Sequence, residues 1–570
     1  MPKIDVYEKA FFDYLGTRMD TDELEQLLTV AKAELDAETD ERGIAKFELN
    51  DTNRPDLWSA AGLARQLRIY QTGELPSYDF ISREGHIKDS QERRFIIDPE
   101  LEHTRPYLAA FAVTGKHIDE AGLLDLIQTQ EKLAWNFGRK RKSVAIGVYR
   151  SALVKYPVHY VAADPDATRF QPLGADRDMT LREILTRHPK GQEFASLVDG
   201  FEKMPLLKDD RGEIVGFPPV INSAYIGGVQ EGDWQLFVEM TGLDLHQLVL
   251  TANIIACDLA DHGYTVLPIR VVYPYDTPLG REIVTPYYFQ QPQTVQIADA
   301  EKMLGVSLTA DQVVESLRRM GIEAEATDGA VTAYPPAYRN DFLHPVDVVE
   351  DIMIGLGMDS FEPANPSDFT VGRLSETEVF SRQAKNAMVG LGYQEMIFNY
   401  LGSYREFIER MYPEDARDAI ESEFVKVSNP LSENYEYVRH SVLPHLLSAE
   451  SVSANAPYPH LIFEVGKIVR QDEAENYGSR TVNALGFLAA DADADFNLIN
   501  SHVTALFYYL GYQHELEERD DPRFIAGRTA SIVVDGKQVG IFGEIHPRVL
   551  ESWGIQVPCA AGEIDMDALR

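Results

Sequence analysis

Cysteine is almost absent from the chain. Cys257 and Cys559 are the only two, far apart in sequence. Neither a disulfide framework nor a cysteine-built zinc site is available to them, and a reducing compartment is the default. Long apolar runs are missing as well. No stretch approaches the roughly 18 residues of a membrane span, and the segment Met1–Glu8 carries no apolar signal core. A cytoplasmic protein without a membrane partner is expected. Positive charge is scarce: Lys and Arg total 53 against 91 Asp and Glu, for a net charge of −38. That excludes a globally basic surface, although a local basic patch can still sit on an acidic body. The usual catalytic signatures are lacking too. There is no Gly-x-x-x-x-Gly-Lys phosphate loop, no Gly-x-Gly-x-x-Gly fingerprint, no His-Glu-x-x-His pair and no nucleophile elbow. Asp491, Asp493 and Asp495 imitate the start of a calcium loop. However, Phe496 stands where that loop needs glycine and His502 where it needs glutamate, so a polar loop is the reading.

What is present is a chain of 570 residues, too long for one core, with roughly three to five domains expected. Residues 1–85 read as a small α/β unit. Strands are expected at Lys3–Tyr7 and Ala45–Leu49. A helix opens at Asp20 and Glu23 and carries Leu24, Leu27, Leu28, Ala31 and Leu35 at the 3.6 period. Asn53 is the candidate cap of a second helix, with Pro55 in its first turn. A polar stretch, 82–94, reads as a linker.

Residues 95–286 alternate short strands with helices. Residues 287–362 hold a capping box at Thr309 and Gln312 and a hairpin turning at Asp328-Gly329. Residues 363–570 alternate helices with strands, among them Glu395–Tyr400, Phe424–Ser428 and a hairpin at Asp535-Gly536. The whole reads as multidomain α+β, ending in an antiparallel sheet packed by helices.

Three stretches are candidates for chemistry. In the helix opening at Pro345, Asp347, Glu350 and Asp351 stand at i, i+3 and i+4 and share one face. Asp341 lies six residues upstream and can fold back towards them. Four hard oxygen ligands suit Mg²⁺, but an acidic solvent face has the same spacing, and in a chain this acidic spacing alone favours the solvent face. Arg139, Lys140, Arg141 and Lys142 form the densest basic run, either a phosphate clamp or a solvated turn before a strand. Glu239 and Thr241 lie on the same face of an expected strand, as pocket lining or as an ordinary polar face.

Several motifs, taken together and in order, resemble the β subunits of phenylalanyl-tRNA synthetases in the form found in archaea and eukaryotes. They are Asn53-Arg54-Pro55-Asp56-Leu57, Gly138-Arg139-Lys140-Arg141-Lys142, Phe217-Pro218-Pro219, Thr241-Gly242 with Asp244, Arg339-Asn340-Asp341 through Gly357, Phe463-Glu464-Val465-Gly466 and Gly543-Glu544-Ile545-His546-Pro547. The resemblance implies an (αβ)₂ heterotetramer with an α subunit that binds ATP and phenylalanine, adenylates the amino acid and charges tRNA(Phe). It implies an N-terminal structural unit, and an editing domain over 95–286 that hydrolyses mischarged tyrosyl-tRNA(Phe). It further implies a small helical or winged domain over 287–362, and a catalytically silent class II core over 363–570. By position the editing pocket falls on Leu207, Gly216, Glu239 and Thr241, with Gly216 where archaeal relatives tend to have serine. The Mg²⁺ ligands fall on Asp341, Asp347, Glu350 and Asp351, and tRNA contacts on Arg139 to Lys142. The core's silence is consistent with Ile462, which occupies the slot where the class II motif needs an arginine for the ATP α-phosphate; an aliphatic chain cannot replace a guanidinium there. The alternative is a non-enzymatic scaffold that binds tRNA and the α subunit without editing.

Overall fold

In a computed structural model of the chain, residues 2–37, 39–83 and 92–570 are described. The chain divides into two units, 1–365 and 366–570.

The first unit begins with an antiparallel three-stranded sheet in the order Lys3–Tyr7, Ile44–Leu49, Ala33–Ala37. Asp20 caps the helix Thr21–Leu28 through a reciprocal box with Glu23. The helix is shorter than its apolar spacing suggests. Lys32 takes a left-handed φ of 50° and reverses the chain, so Leu35 belongs to the strand Ala33–Ala37. The next helix, Ala60–Thr72, is capped not by Asn53 but by Ser59, which accepts from Gly62 N. Pro55–Leu57 forms a separate 3₁₀ turn in front of it. The expected linker 82–94 lies for its greater part outside the described residues.

A ten-stranded mixed sheet follows, and its order brings distant segments together. Across it run Ile221–Asn222, Ile214–Phe217, Met204–Lys208, Val158–Ala163, Arg94–Ile97, Thr265–Val272, Tyr107–Thr114, Leu236–Gly242 and Val144–Arg150, while Glu282–Thr285 pairs with Thr265–Val272. Only Arg94–Ile97 runs parallel to its neighbours. The strand Leu236–Gly242 is buried along its whole length. It is therefore enclosed on both faces, which removes the exposed polar face as a reading of Glu239 and Thr241. The helix Leu245–Asp261 is buried from Leu245 through Leu259 apart from His246 and Gln247, and Cys257 sits in this core. Asn253 donates from it to the carbonyls of Tyr287 and Ala337, tying the following segment to the sheet.

That segment is a sheet in the order Gln293–Gln296, Ala330–Tyr334, Glu323–Thr327, with helices Ile297–Leu304, Ala310–Arg319 and Pro345–Leu356. Val348, Val349, Ile352 and Gly355 form the buried face of the last helix, while Val346 is exposed. Gly355 is there for close approach: a Cβ would collide with the Ser316 backbone of the neighbouring helix.

The second unit is a seven-stranded sheet in the order Gln394–Glu395, His460–Gln471, Ser479–Ala490, Cys559–Asp565, Lys537–Ile545, Phe524–Val534, Glu515–Glu518. All its pairings are antiparallel except the first. Along Ser479–Ala490 the side chains alternate. Leu485, Phe487 and Ala489 pack beneath helices Glu376–Gly390 and Phe496–Leu510. Val482, Ala484 and Leu488 face helices Leu443–Ser451 and Pro547–Trp553. The α+β class with an antiparallel core holds. Two expected strands do not form as such. Glu395–Tyr400 contributes only Gln394–Glu395, and Phe424–Ser428 only a single bridge from Lys426 to Tyr437. Asp495, from the false calcium loop, caps the helix Phe496–Leu510.

Candidate functional site: a buried carboxylate, a basic turn and an acidic joint

The register of the large sheet sets Glu239 opposite Gly147 on one side and Ala110 on the other. Both neighbours are small, which leaves room beside the carboxylate. Tyr149, two residues on from Gly147, reaches back into this room, and its hydroxyl donates to Glu239 Oε1 at 3.1 Å. Its ring stacks on Phe237 at 4.6 Å. Leu207 pairs with Gly216 across two further strands, and a Cβ on Gly216 would lie 2.7 Å from the Tyr149 hydroxyl. The sheet thus brings Glu239, Gly216 and Tyr149 to one point, with Leu207 and Thr241 on the strands that frame it. Glu239 and Thr241 are 2% and 0% exposed, so the group is internal.

Glu239 Oε2 has no hydrogen-bond partner among the described residues. Burial pushes the Glu239 carboxyl up to about 7, against the opposing pull of the Tyr149 hydrogen bond and the Arg105 charge. The same burial drives the Tyr149 phenol well above its usual range, so this hydroxyl remains a donor. Arg105 donates from Nε to Thr241 Oγ1 at 3.0 Å, and also to the Thr241, Arg141 and Lys142 carbonyls. It couples the strand that carries Glu239 to the basic turn.

That turn has unusual backbone. Arg139, Lys140 and Arg141 all take left-handed φ values, of 51°, 56° and 66°, a conformation that is uncommon outside glycine and is held here by surrounding structure. The four cations do not act together. Arg141 turns inward, donating to the Pro219 and Val220 carbonyls and covering the Phe194 ring at 4.1 Å. Arg139, Lys140 and Lys142 are exposed and form no ion pair among the described residues. Lys140 lies 5.3 Å from the ring of Trp135, whose indole is 47% exposed. Trp135, Arg139, Arg141 and Phe194 border a cavity of about 1100 Å³.

At the acidic helix the four expected ligands are separately engaged. Arg339, 3% exposed, contacts Asp341 at 2.5 Å and Asp351 at 2.9 Å. Asp347 accepts from the Leu343 and His344 amides, both at 2.7 Å. Glu350 pairs with Lys32 at 2.5 Å, and Lys32 also meets Asp51 at 2.9 Å. Among the described residues no three Asp, Glu, His or Cys side chains gather so as to hold a metal. The donor set does not fit Mg²⁺, because a guanidinium already lies on two of its four carboxylates. Physically this is a joint. Burial pushes Asp341 up, but the Arg339 charge and its hydrogen bonds outweigh it and hold the carboxyl below its ordinary range. For Asp351 burial prevails over Arg339 and raises it. Through Lys32, and through Arg54 with its ion pair to Asp56 at 2.8 Å, the joint belongs to the N-terminal sheet's surroundings as well.

Arg339 is part of a motif quoted from the sequence, but its role as counter-ion to Asp341 and Asp351 is a finding of the structure. Tyr149 and Arg105 carry no sequence signal for their roles: strand register brings Tyr149 to Glu239, and Arg105 reaches Thr241 from the segment before the strand Tyr107–Thr114.

In the second unit Glu464 forms a buried bidentate pair with Arg439, at 2.7 and 2.9 Å. The side chain of Ile462, two residues before Glu464 on the same strand, packs among apolar residues.

Family models match three stretches of the chain. Residues 1–73 match the Phe-tRNA synthetase beta subunit B1 domain, 293–358 the tRNA synthetase B5 domain, and 364–566 the phenylalanyl tRNA synthetase beta chain CLM domain. The chain is 44% identical over its whole length to the phenylalanine--tRNA ligase beta subunit of Borreliella burgdorferi (strain ZS7), covering 99% of that protein. It is likewise 44% identical to that of Borrelia hermsii (strain HS1 / DAH), covering 100% of both chains. The crystal structure of an N-terminal fragment of the phenylalanyl-tRNA synthetase beta subunit from Pyrococcus horikoshii matches 62% of this chain and all of that one, at 35% identity and a TM-score of 0.58. These relatives correct one expectation. The full-length matches are to bacterial, spirochete-type subunits rather than to an archaeal or eukaryotic type. The chain belongs to the phenylalanine--tRNA ligase beta subunits, components of an aminoacyl-tRNA synthetase.

Proposed function

We propose that this chain works in an (αβ)₂ assembly in which the α partner binds ATP and phenylalanine and performs adenylation, while this subunit hydrolyses tyrosine wrongly attached to tRNA(Phe). Residues 1–85 serve as a structural unit, 95–286 as the editing module, 287–362 as a small connecting domain and 363–570 as a silent class II core that forms the subunit platform. Silence of the core is supported by Ile462 and by the engagement of Glu464 with Arg439, which leaves that carboxylate committed.

One observation carries the editing reading. Glu239 is an enclosed carboxylate that holds a phenol on one oxygen and has no partner among the described residues on the other. A site that hydrogen-bonds a hydroxyl rejects the analogue lacking it, because the buried acceptor is then left unpaired. Tyrosine and phenylalanine differ by that one group. The reaction is ester hydrolysis: water adds to the carbonyl joining tyrosine to the terminal ribose, and the products are free tyrosine and a free ribose hydroxyl. Arg139, Lys140 and Lys142, with the exposed Trp135, offer charge and a stacking face to the nucleic acid, while Arg141 braces the turn.

The test is hydrolysis of tyrosyl-tRNA(Phe) by the co-purified assembly. Glu239→Ala is expected to slow it by about ten- to a hundredfold, the range of one hydrogen bond to a charged group, with phenylalanylation by the partner persisting. Unchanged hydrolysis in that variant refutes the reading. A second reading, a subunit that binds tRNA and the α partner without hydrolysis, is favoured by the enclosure of the pocket residues. Absence of hydrolysis in the unaltered assembly would establish it.

A further inference from the structure

The phenol that Glu239 holds is the chain's own. Tyr149 is 1% exposed, and three observations fix where its hydroxyl lies. It donates to Glu239 Oε1 at 3.1 Å. A Cβ on Gly216 would come within 2.7 Å of it, and a Cβ on Gly147 would strike both it and Glu239 Oε1. The two residues without side chains therefore make the space that this hydroxyl fills. The ring, stacked on Phe237 at an interplanar angle of 15°, presents an aromatic face and a para hydroxyl, the two features that distinguish a tyrosyl group. Tyr149 comes from the strand that leaves the basic turn directly, Val144–Arg150, and Arg105 bonds both to that turn and to Thr241. The turn and the pocket are thus mechanically joined.

We propose that Tyr149 is an internal mimic of the ligand: it occupies the hydroxyl-recognition position at Glu239 and must be displaced before a phenolic substrate can bind there. This rests on the editing reading, since it takes Glu239 as the recognising group. Tyr149 acts as an autoinhibitory plug, and the discrimination itself stays with Glu239. A ligand's apparent affinity falls by the fraction of molecules in which the plug is out, and a ligand that can offer no hydroxyl to Glu239 does not recover the bond that displacement breaks. Of the groups facing the phenol, Glu239 supplies the bond, Phe237 the stacking face, and Arg141 contributes a more distant charge.

The test separates the plug from the hydrolytic reaction by using p-cresol, a phenol with no ester to cleave. Binding is measured by titration calorimetry on the assembled protein, and tyrosyl-tRNA(Phe) hydrolysis in parallel. Tyr149→Ala is expected to bind p-cresol at least tenfold more tightly than the unaltered protein and to hydrolyse tyrosyl-tRNA(Phe) faster. Tyr149→Phe keeps the ring on Phe237 and loses only the hydroxyl. It is expected to fall between the two, and it serves as the informative variant if Tyr149→Ala does not fold. Restored binding without hydrolysis would support the plug and remove the editing reading. Glu239-dependent hydrolysis with no gain of p-cresol binding in either Tyr149 variant would overturn the plug and leave the editing reading standing. A wild-type protein that binds p-cresol as tightly as Tyr149→Ala would also overturn it.

Discussion

Arg339→Met removes the cation at the centre of the acidic joint and leaves a side chain of similar reach. Asp341 and Asp351 then remain buried, 9% and 6% exposed by side chain, and face each other without a counter-charge. Breaking a buried ion pair by deleting one partner costs about 3–5 kcal/mol, chiefly because the remaining charge stays desolvated. The Arg339 guanidinium also lies over the Phe342 ring at 4.5 Å, a contact worth about 0.5–2 kcal/mol of its own. The sign of the pH dependence follows from Asp341. Its folded carboxyl lies below its ordinary value, so it contributes stability that is present at neutral pH and lost as pH falls through the folded value. In the variant that contribution is gone, and both carboxylates are displaced upward by burial. The loss in stability is therefore largest near pH 7.5 and shrinks under acid. Fluorescence can isolate the unit concerned, because Trp58, Trp135 and Trp234 lie in the first unit and only Trp553 in the second. In a Trp553→Phe background, urea unfolding should show the first unit's unfolding free energy lowered by about 3–5 kcal/mol at pH 7.5. Adding Asp341→Asn and Asp351→Asn should restore most of it. A change below about 1 kcal/mol, the size of an exposed pair, would refute the account of the joint.

Three further outcomes are expected. Glu239 has its carboxyl raised to about 7, so its enclosure costs stability as pH rises from the unfolded value to 7. Glu239→Gln should therefore gain about 3 kcal/mol relative to the unaltered chain between pH 4.5 and 7.5, whereas parallel stability profiles would contradict the burial argument. Arg439→Met, which leaves Glu464 enclosed and unpaired, should cost the second unit about 3–5 kcal/mol, read from Trp553 fluorescence; a cost near zero would mean that Glu464 is solvated. Magnesium saturating a site at a hundred times its Kd would stabilise by about 2.7 kcal/mol. Because Arg339 holds the carboxylates, calorimetry should show the first unit melting at the same temperature in EDTA and in millimolar Mg²⁺, and a rise of several degrees would restore the metal.

Sequence periodicity served well where one local rule decides. The boxes at Asp20 and Thr309 and the hairpin turns at Asp328-Gly329 and Asp535-Gly536 all formed as spelled. It failed where a long-range contact overrides the local pattern. Leu35 continued a helical stripe, yet pairing with Ile44–Leu49 claims it for a strand. At the acidic helix the carboxylate spacing was legible, but the identity of their cation was not, because a metal and an arginine suit the same oxygens. Glu239 and Thr241 were legible as a same-face pair, and their enclosure was not. That depends on strand partners distant in sequence, Ala110 on one side and Gly147 on the other, as does Tyr149's reach across the register to the carboxylate, 90 residues along the chain.

The claim on which the rest turns is that Glu239 reads a phenolic hydroxyl. The direct measurement is the ratio of kcat/KM for hydrolysis of tyrosyl-tRNA(Phe) and phenylalanyl-tRNA(Phe) by the same co-purified assembly. Displacing Tyr149 taxes both substrates alike, so the ratio isolates the hydroxyl. The account predicts a ratio of about 10² or more for the unaltered assembly, within what one enclosed hydroxyl contact can supply, falling towards one in Glu239→Ala. Equal hydrolysis of the two esters, or a ratio untouched by that substitution, would contradict it.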